Sequence, residues 1–209
     1  MVAADMADLL KTGLGFGALP TSAETLGMAT AIIAEFALGV VSHAPGTVTG
    51  NAPPSGGPLI DGAASGGLIV GMTPASLAAN MQTFMGKPFT SPELSGMASG
   101  MVTHFLLGLV GFDLITGVCS NTTEAPGVLV GEGSGGKISG YDGTVMATLI
   151  ATSMGKGAPT SELIDMCTEL VNYIMSEAEV TYVTGQVTGN CSSGGGPIAA
   201  GAGVGGVII

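Results

Sequence analysis

The sequence predicts an α+β fold made of three tandem pseudo-repeats, each a helix pair followed by a glycine-rich arm with short β-strands. The segment at 46–71, GTVTGNAPPSGGPLIDGAASGGLIVG, has a close relative at 185–209, GQVTGNCSSGGGPIAAGAGVGGVII. A third, more divergent copy lies between them at 116–140, TGVCSNTTEAPGVLVGEGSGGKISG. Recurrence at a fixed interval is typical of internal repeats.

The repeats divide the chain into three units, 1–72, 73–141 and 142–209. One methionine recurs in each unit at intervals of 69 residues: Met28, Met97 and Met166. Units of this length bury too little surface to be stable alone. We therefore expect the three units to pack as one body.

The composition indicates a folded chain. Glycine contributes 37 residues and proline 11, but without the three-residue period of collagen. Hydrophobic residues make up 46% of the chain and charged residues 9%, the opposite of a disordered composition.

The charge balance excludes one class of partner. Four Lys and Arg stand against fifteen Asp and Glu, a formal net charge of -11. Binding to nucleic acid depends on basic side chains that neutralise phosphates, so this chain is not expected to bind it. Since so few charged side chains are available to solvate a surface, much of that surface is expected to be covered by partners.

The first unit begins with two predicted helices. Residues 6–11 form a short helix that the following glycines end. Residues 21–24, TSAE, match a capping box, in which Thr21 caps the second helix. The apolar positions from Leu26 to Val41 recur at helical spacing, and Pro45 requires the helix to end before it.

The arm that follows carries two short extended pieces, around Val48 and at 68–70, separated by turns. Paired glycines in a strand-like segment indicate close backbone approach to a neighbouring repeat or subunit. The predicted interface residues lie in the three arms: Asn51, Gly66, Gly67, Ile69, Asn121, Gly135, Gly136, Ile138, Asn190, Gly205, Gly206, Val207, Ile208 and Ile209. The last three are expected to add as a strand to the edge of a neighbouring subunit.

The other two units repeat this order of elements. In the second, the predicted elements are a helix at 76–85, a capping box at 90–93 and an apolar helix at 97–114. In the third, they are a helix at 145–154, a box one residue short at 159–162 and a helix at 163–183.

No group of residues predicts catalysis, a cofactor or a metal. Residues 131–137, GEGSGGK, resemble a phosphate-binding loop, but Ile138 stands where Ser or Thr should meet magnesium. A nucleotide-binding enzyme that uses this loop is the weaker alternative. His43 and His104 have no acid or nucleophile at a fixed spacing. We therefore expect a protein that is not an enzyme.

The three cysteines are too few and too scattered for a disulfide scaffold or a zinc site. Buried free thiols are the expectation for Cys119, Cys167 and Cys191. Because Cys119 and Cys191 fall near the same place in their repeats, a disulfide between neighbouring repeats or subunits is the alternative.

A membrane-associated pore or channel-like protein is another alternative, because residues 26–41 and 97–118 approach the length of a bilayer span. The equivalent helix of the third unit argues against it, since it carries Asp165, Glu169 and Glu177. The first fifteen residues have no basic region followed by an apolar segment, so no secretory signal is expected.

With its three arms and their Gly-Gly endings, the chain resembles glycine-rich virion structural proteins of tailed bacteriophages, such as baseplate, tail or neck components. The resemblance implies a non-catalytic structural protein of a large symmetric particle. The partners would be copies of itself and other structural proteins of that particle. The location would be the virion, assembled in the host cytoplasm.

Overall fold

A computed structural model describes all residues from Met1 to Ile209. The chain forms two compact units, each built from one segment of every third of the chain. The helical unit comprises 1–39, 71–108 and 140–178. The barrel unit comprises 40–70, 109–139 and 179–209.

The elements follow one order three times, with two helices and then strands. The helices are α1 (Ala3–Gly13), α2 (Ala23–Phe36), α3 (Pro74–Phe84), α4 (Pro92–Phe105), α5 (Gly143–Ser153) and α6 (Ser161–Glu177). The strands are β1 (Val40–His43), β2 (Val48–Ala52), β3 (Gly57–Pro58), β4 (Ile60–Val70), β5 (Leu109–Phe112), β6 (Ile115–Cys119), β7 (Gly127–Ser139), β8 (Glu179–Cys191), β9 (Gly196–Pro197) and β10 (Ala199–Ile208).

The longer helices begin at hydroxyl N-caps. The side chain of Ser22 accepts the backbone N–H of Thr25, and Ser91 accepts that of Leu94 in the same way. Thr160 caps α6 with the same geometry. The predicted capping box is therefore shifted by one residue, because Ser22 and not Thr21 is the cap. α6 is therefore capped in the same way as α2 and α4, although its predicted box was one residue short.

The six helices pack in a ring in which α6 contacts α1. One buried side chain, thirteen residues after each of these caps, accepts a hydrogen bond from the backbone N–H that precedes the next helix of the ring. The pairs are Glu35 with Thr73 (2.8 Å), His104 with Asp142 (3.1 Å) and Tyr173 with Val2 (2.7 Å). Three chemically different residues thus serve the same purpose, each satisfying one of the amides that a helix start leaves unpaired.

Six strands of the barrel unit close on themselves. Antiparallel pairing runs from β1 to β4, β5, β7, β8 and β10, and β10 returns to β1. Four further strands, β2, β3, β6 and β9, extend the hairpins beyond this barrel. Closure leaves no unpaired edge on the six strands.

The predicted fold class is therefore wrong. We expected helix pairs with short-stranded arms, but the arms contribute long strands to one closed six-stranded antiparallel barrel that dominates the mixed α/β architecture. The local pattern misled because strand pairing is non-local: β1 pairs with β10, at the opposite end of the chain. The division at residues 72 and 141 stays a prediction.

The second predicted helix of each unit was too long, for one recurring reason. The apolar residues predicted to end each helix instead form the first barrel strand of that unit, at Val40–His43, Leu109–Phe112 and the start of Glu179–Cys191. Gly39 and Gly108 separate helix from strand in the first two cases. The C-terminal residues are not a free arm either, since β10 already pairs with β8 and β1.

Candidate assembly surface

Three rings form one layer inside the barrel. His43, Phe112 and Tyr182 end equivalent stretches of β1, β5 and β8 and are at most 2% exposed. The ring centroids of His43 lie 5.7 Å from those of Phe112 and Tyr182, which are themselves 5.2 Å apart. His43 Nε2 lies 3.0 Å from the carbonyl oxygen of Val110, and its Nδ1 lies 2.8 Å from the Tyr182 hydroxyl. The three rings are buried and both ring nitrogens of His43 have hydrogen-bond partners, so His43 contributes to the packing of the barrel interior.

The second glycine of each Gly-Gly pair makes room for these rings. A Cβ at Gly67, Gly136 or Gly206 would lie within 3 Å of the ring of His43, Phe112 or Tyr182, respectively. The first glycine of each pair has a positive φ where the strand register shifts, with values of 69° at Gly66, 67° at Gly135 and 83° at Gly205. The glycine pairs are therefore packing devices of the barrel interior.

Acidification is expected to destabilise the protein through its buried histidines. Burial lowers the pKa of His43 and of His104 below the ordinary value of 6.5. As the pH falls through 6.5, the unfolded chain binds protons that the folded chain does not, so stability is full above 6.5 and falls below it. The urea midpoint should therefore drop between about pH 7.5 and about pH 5.

His43→Phe is the matched variant for this test, because Phe112 occupies the equivalent position. It should remove the part of the pH dependence that His43 contributes. An unchanged pH dependence in the variant would show that His43 does not titrate on unfolding as proposed.

Asn121 joins the three loops at the hairpin ends of the barrel unit. Its Nδ2 donates to the carbonyl oxygens of Pro53 (2.7 Å) and Ser192 (2.9 Å), and its side chain is buried. Asn51 and Asn190, which are predicted interface residues of the other two arms, are exposed on strands instead. β2, β6 and the end of β8 share one burial pattern. In this alignment, the residue equivalent to Asn51 and Asn190 is Val118 and not Asn121.

Cys119 and Cys191 form a disulfide, with their Cα atoms 6.1 Å apart. The expectation of free thiols is thus wrong for these two, and the alternative pairing is the one present, within one chain. Cys167 is a free buried thiol as expected, and burial raises its pKa to about 12. In the first repeat, Ala52 occupies the position equivalent to Cys119 and Cys191, and it is 3% exposed.

Reduction, or Cys191→Ala, is expected to destabilise the fold by roughly 2–5 kcal/mol, because the bridge closes a long loop in the unfolded chain. Urea unfolding with and without dithiothreitol measures the effect. Cys167→Ala is the control, since Ala29 and Ala98 stand at its equivalent positions. It should leave the response to dithiothreitol unchanged, and a wild type insensitive to dithiothreitol would contradict the prediction.

The segment that resembled a phosphate-binding loop is the middle of β7. Residues 131–137 pair with β5, β6 and β8, so their amides are held in the sheet and do not surround an empty site. No helix begins directly after them, as α5 starts at Gly143. Lys137 pairs with Glu179 at 3.1 Å. This geometry does not fit a bound phosphate.

The outer face of β10, β1, β4 and β5 carries an apolar surface that we call the apolar band. Val40 lies opposite both Val70 and Val207 in the ladders, and Leu68 lies opposite Leu109. Ser42 separates Leu68 from Val204 in the next row. The members of the apolar band are Val40, Leu68, Val70, Leu109, Val204 and Val207.

The apolar band is exposed and free of charge. Five of its six side chains are 44% to 63% exposed, and Val40 is half-buried. The largest contiguous exposed apolar surface of a protein is often a site of interaction. The apolar band is therefore the candidate functional site.

On β7 and β8, several positions equivalent to those of the apolar band are polar. Lys137 stands where the apolar band has Leu68 and Val207, and Glu179 stands where it has Val40 and Leu109. Their ion pair joins β7 and β8. Because equivalent positions differ in this way, apolar side chains at these positions are not a requirement of the strand structure. Exposed valines also occur on β6 and β7, where Val118 lies opposite Val130.

The predicted interface residues separate into two groups. Ile69, Ile138, Ile208 and Asn121 are buried, and the glycine pairs shape the interior. Asn51, Asn190, Val207 and Ile209 are exposed, and for these the prediction of subunit contact stands as a prediction. Only Val207 lies in the apolar band. The other members were missed, although the apolar triplet Leu68–Val70 could have signalled a strand that is apolar on both faces.

Other functional features are sparse. The side chains contain no group of three or more His, Cys, Asp or Glu placed to hold a metal ion. None of the six helices combines the length and apolar character needed to span a membrane. Three of the four lysines pair with carboxylates, so most of the fifteen acidic residues contribute uncompensated negative charge.

Comparison of the chain with protein-family models, curated proteins and solved structures yields no match. Its function is therefore inferred from the geometry of the apolar band.

Proposed function

We propose that this chain is a non-catalytic structural subunit of a large particle, most specifically a virion component of a tailed bacteriophage, in the baseplate, tail or neck. The apolar band is the observation that carries the proposal. Its partners would be further copies of the chain and other structural proteins of the particle.

The composition supports a subunit that is covered in use. Only 9% of its residues are charged, whereas ordinary soluble domains carry about 25%. Leu68 and Val204 expose more than half of their surface without a neighbouring charge to solvate them. Burial of such side chains against a partner is favourable by about 25 cal/mol per Å² of apolar surface.

The interior of the barrel supports a structural role in a second way. His43, Phe112 and Tyr182 fill it, and the disulfide and Asn121 join the hairpin ends. A barrel with a packed interior and joined hairpin ends is rigid, as a structural protein that bears mechanical force must be.

The test is the presence of the chain in purified virions from its source and the fate of particles that lack it. Mass spectrometry should detect the chain at a fixed copy number relative to the other virion proteins. Particles assembled without its gene should be incomplete by electron microscopy and should not infect. Infectious, complete particles from the deletion strain would overturn the proposal.

A further inference from the structure

We infer that the apolar band is the contact between two copies of this chain, which associate face to face through β10, β1, β4 and β5. The inference deepens the proposed function by naming the partner of its site. It depends on the proposed function for its setting but has its own test.

The size of the apolar band fits the centre of a dimer contact. Its six side chains expose on the order of 400 Å² of apolar surface, within the range of the largest patches found on monomers. A stable interface buries about 800 Å² on each partner, with an apolar centre and a polar rim. The apolar band would supply the centre, and the surrounding Ser42 and Ser65 lie where a rim is expected.

Its chemistry favours a second copy over an unlike partner. Interfaces between unlike proteins that associate transiently are about as polar as the rest of the surface, whereas permanent contacts between identical chains are more apolar. The apolar band contains only Val and Leu. Such a composition resembles the apolar centre of contacts between identical chains.

The distribution of charge permits this contact despite the net charge of -11. Two copies that met through an acidic surface would repel each other. No carboxylate belongs to the apolar band, and Glu179, on the strand β8 beside β10, is paired with Lys137. The charge-free surface is thus a face by which two such chains can approach closely.

The geometry of the strands also suits a contact between sheets. Two sheet faces pack about 10 Å apart with interdigitating side chains, and β-branched residues pack well in such layers. Val40, Val70 and Val207 form one row across three strands, with Leu68 and Leu109 in the next row. A twofold axis through the apolar band would set these rows against each other.

Sedimentation velocity of the purified chain at micromolar concentration tests the inference. We expect a dimer for the wild type and a monomer for Leu68→Lys, with a Kd raised about a hundredfold or more, because a lysine would lose its hydration at the centre of the contact. Lys137 shows that a lysine is tolerated at this register of the barrel. A wild type that remains monomeric overturns the inference and leaves the apolar band to another protein.

Two further variants separate loss of contact from loss of fold. Val204→Ser introduces the residue found at the equivalent positions 65 and 134, and it should weaken the dimer while the melting temperature of the monomer is retained. Val130→Lys, on the outer face of β7 and 45% exposed, is the matched control and should stay dimeric. A dimer that survives both Leu68→Lys and Val204→Ser would place the contact elsewhere and overturn the inference.

The outcomes also separate this inference from the proposed function. If the chain is monomeric but complete virions require it, the proposed function stands and the dimer is overturned. If the chain forms a dimer through the apolar band but virions are complete without it, the dimer stands and the proposed function is overturned.

Discussion

A chain that lacks residues 203–209 is expected to lose its barrel and its cooperative unfolding transition. These residues form most of β10, whose backbone pairs with β8 on one side and β1 on the other. Their removal would open the barrel between β8 and β1 and expose the ring of Tyr182, which packs against Gly203 and Gly206. The loss of two ladders and of buried Ile208 is comparable to the roughly 5–15 kcal/mol by which a domain is stable.

Circular dichroism and amide hydrogen exchange would measure this loss. Amides of β1 and β8 should exchange rapidly in the truncated chain. Val204→Ser in the full-length chain is the control, because it changes an exposed side chain of the same strand and leaves its backbone pairing in place. A truncated chain with the melting temperature and strand content of the wild type would contradict the prediction.

Gly136→Ala is expected to destabilise the protein by about 3 kcal/mol, the upper part of the usual range for overpacking a core. The added methyl group would meet the ring of Phe112, which is buried between the other two rings and cannot move aside freely. In a chain of this length the melting temperature should fall by about 6–12 °C.

A double-mutant cycle tests the stated cause. Phe112→Leu should recover part of the stability lost in Gly136→Ala, because the shorter side chain leaves space for the methyl group. Gly194→Ala is the control, since a Cβ there meets nothing within 4 Å. If Gly136→Ala costs the same stability in the wild type and in the Phe112→Leu variant, the ring is not the cause.

Helix starts could be predicted from the sequence because their causes are local. The pattern of Ser or Thr followed by Glu located the beginnings of α2, α4 and α6 to within about two residues. Helix ends were harder. The apolar residues after Gly39 and Gly108 fit a helical period as well as a strand, and only the closed barrel decides between the two.

The barrel could not be predicted because its causes are distant in sequence. The paired glycines indicated close backbone approach to a neighbouring repeat or subunit, but the neighbour of each second glycine is a side-chain ring on another strand. A signal was nevertheless present, since the same interval of 24 residues separates each ring from its glycine: 43 to 67, 112 to 136 and 182 to 206. The apolar band could not be recognised either, because its members come from four strands that only the barrel brings together.

The pairing of β10 with β1 has a consequence for how the protein is made. Contacts between residues far apart in sequence slow folding, since a long loop must close before they form. Here Val40 pairs with Val207, so the barrel cannot close during synthesis until the residues up to Val207 have left the ribosome. Until then the strand edges and apolar residues of the first two thirds are exposed to aggregation. Chaperone binding to the nascent chain is the expected protection, and slow refolding in vitro the expected sign.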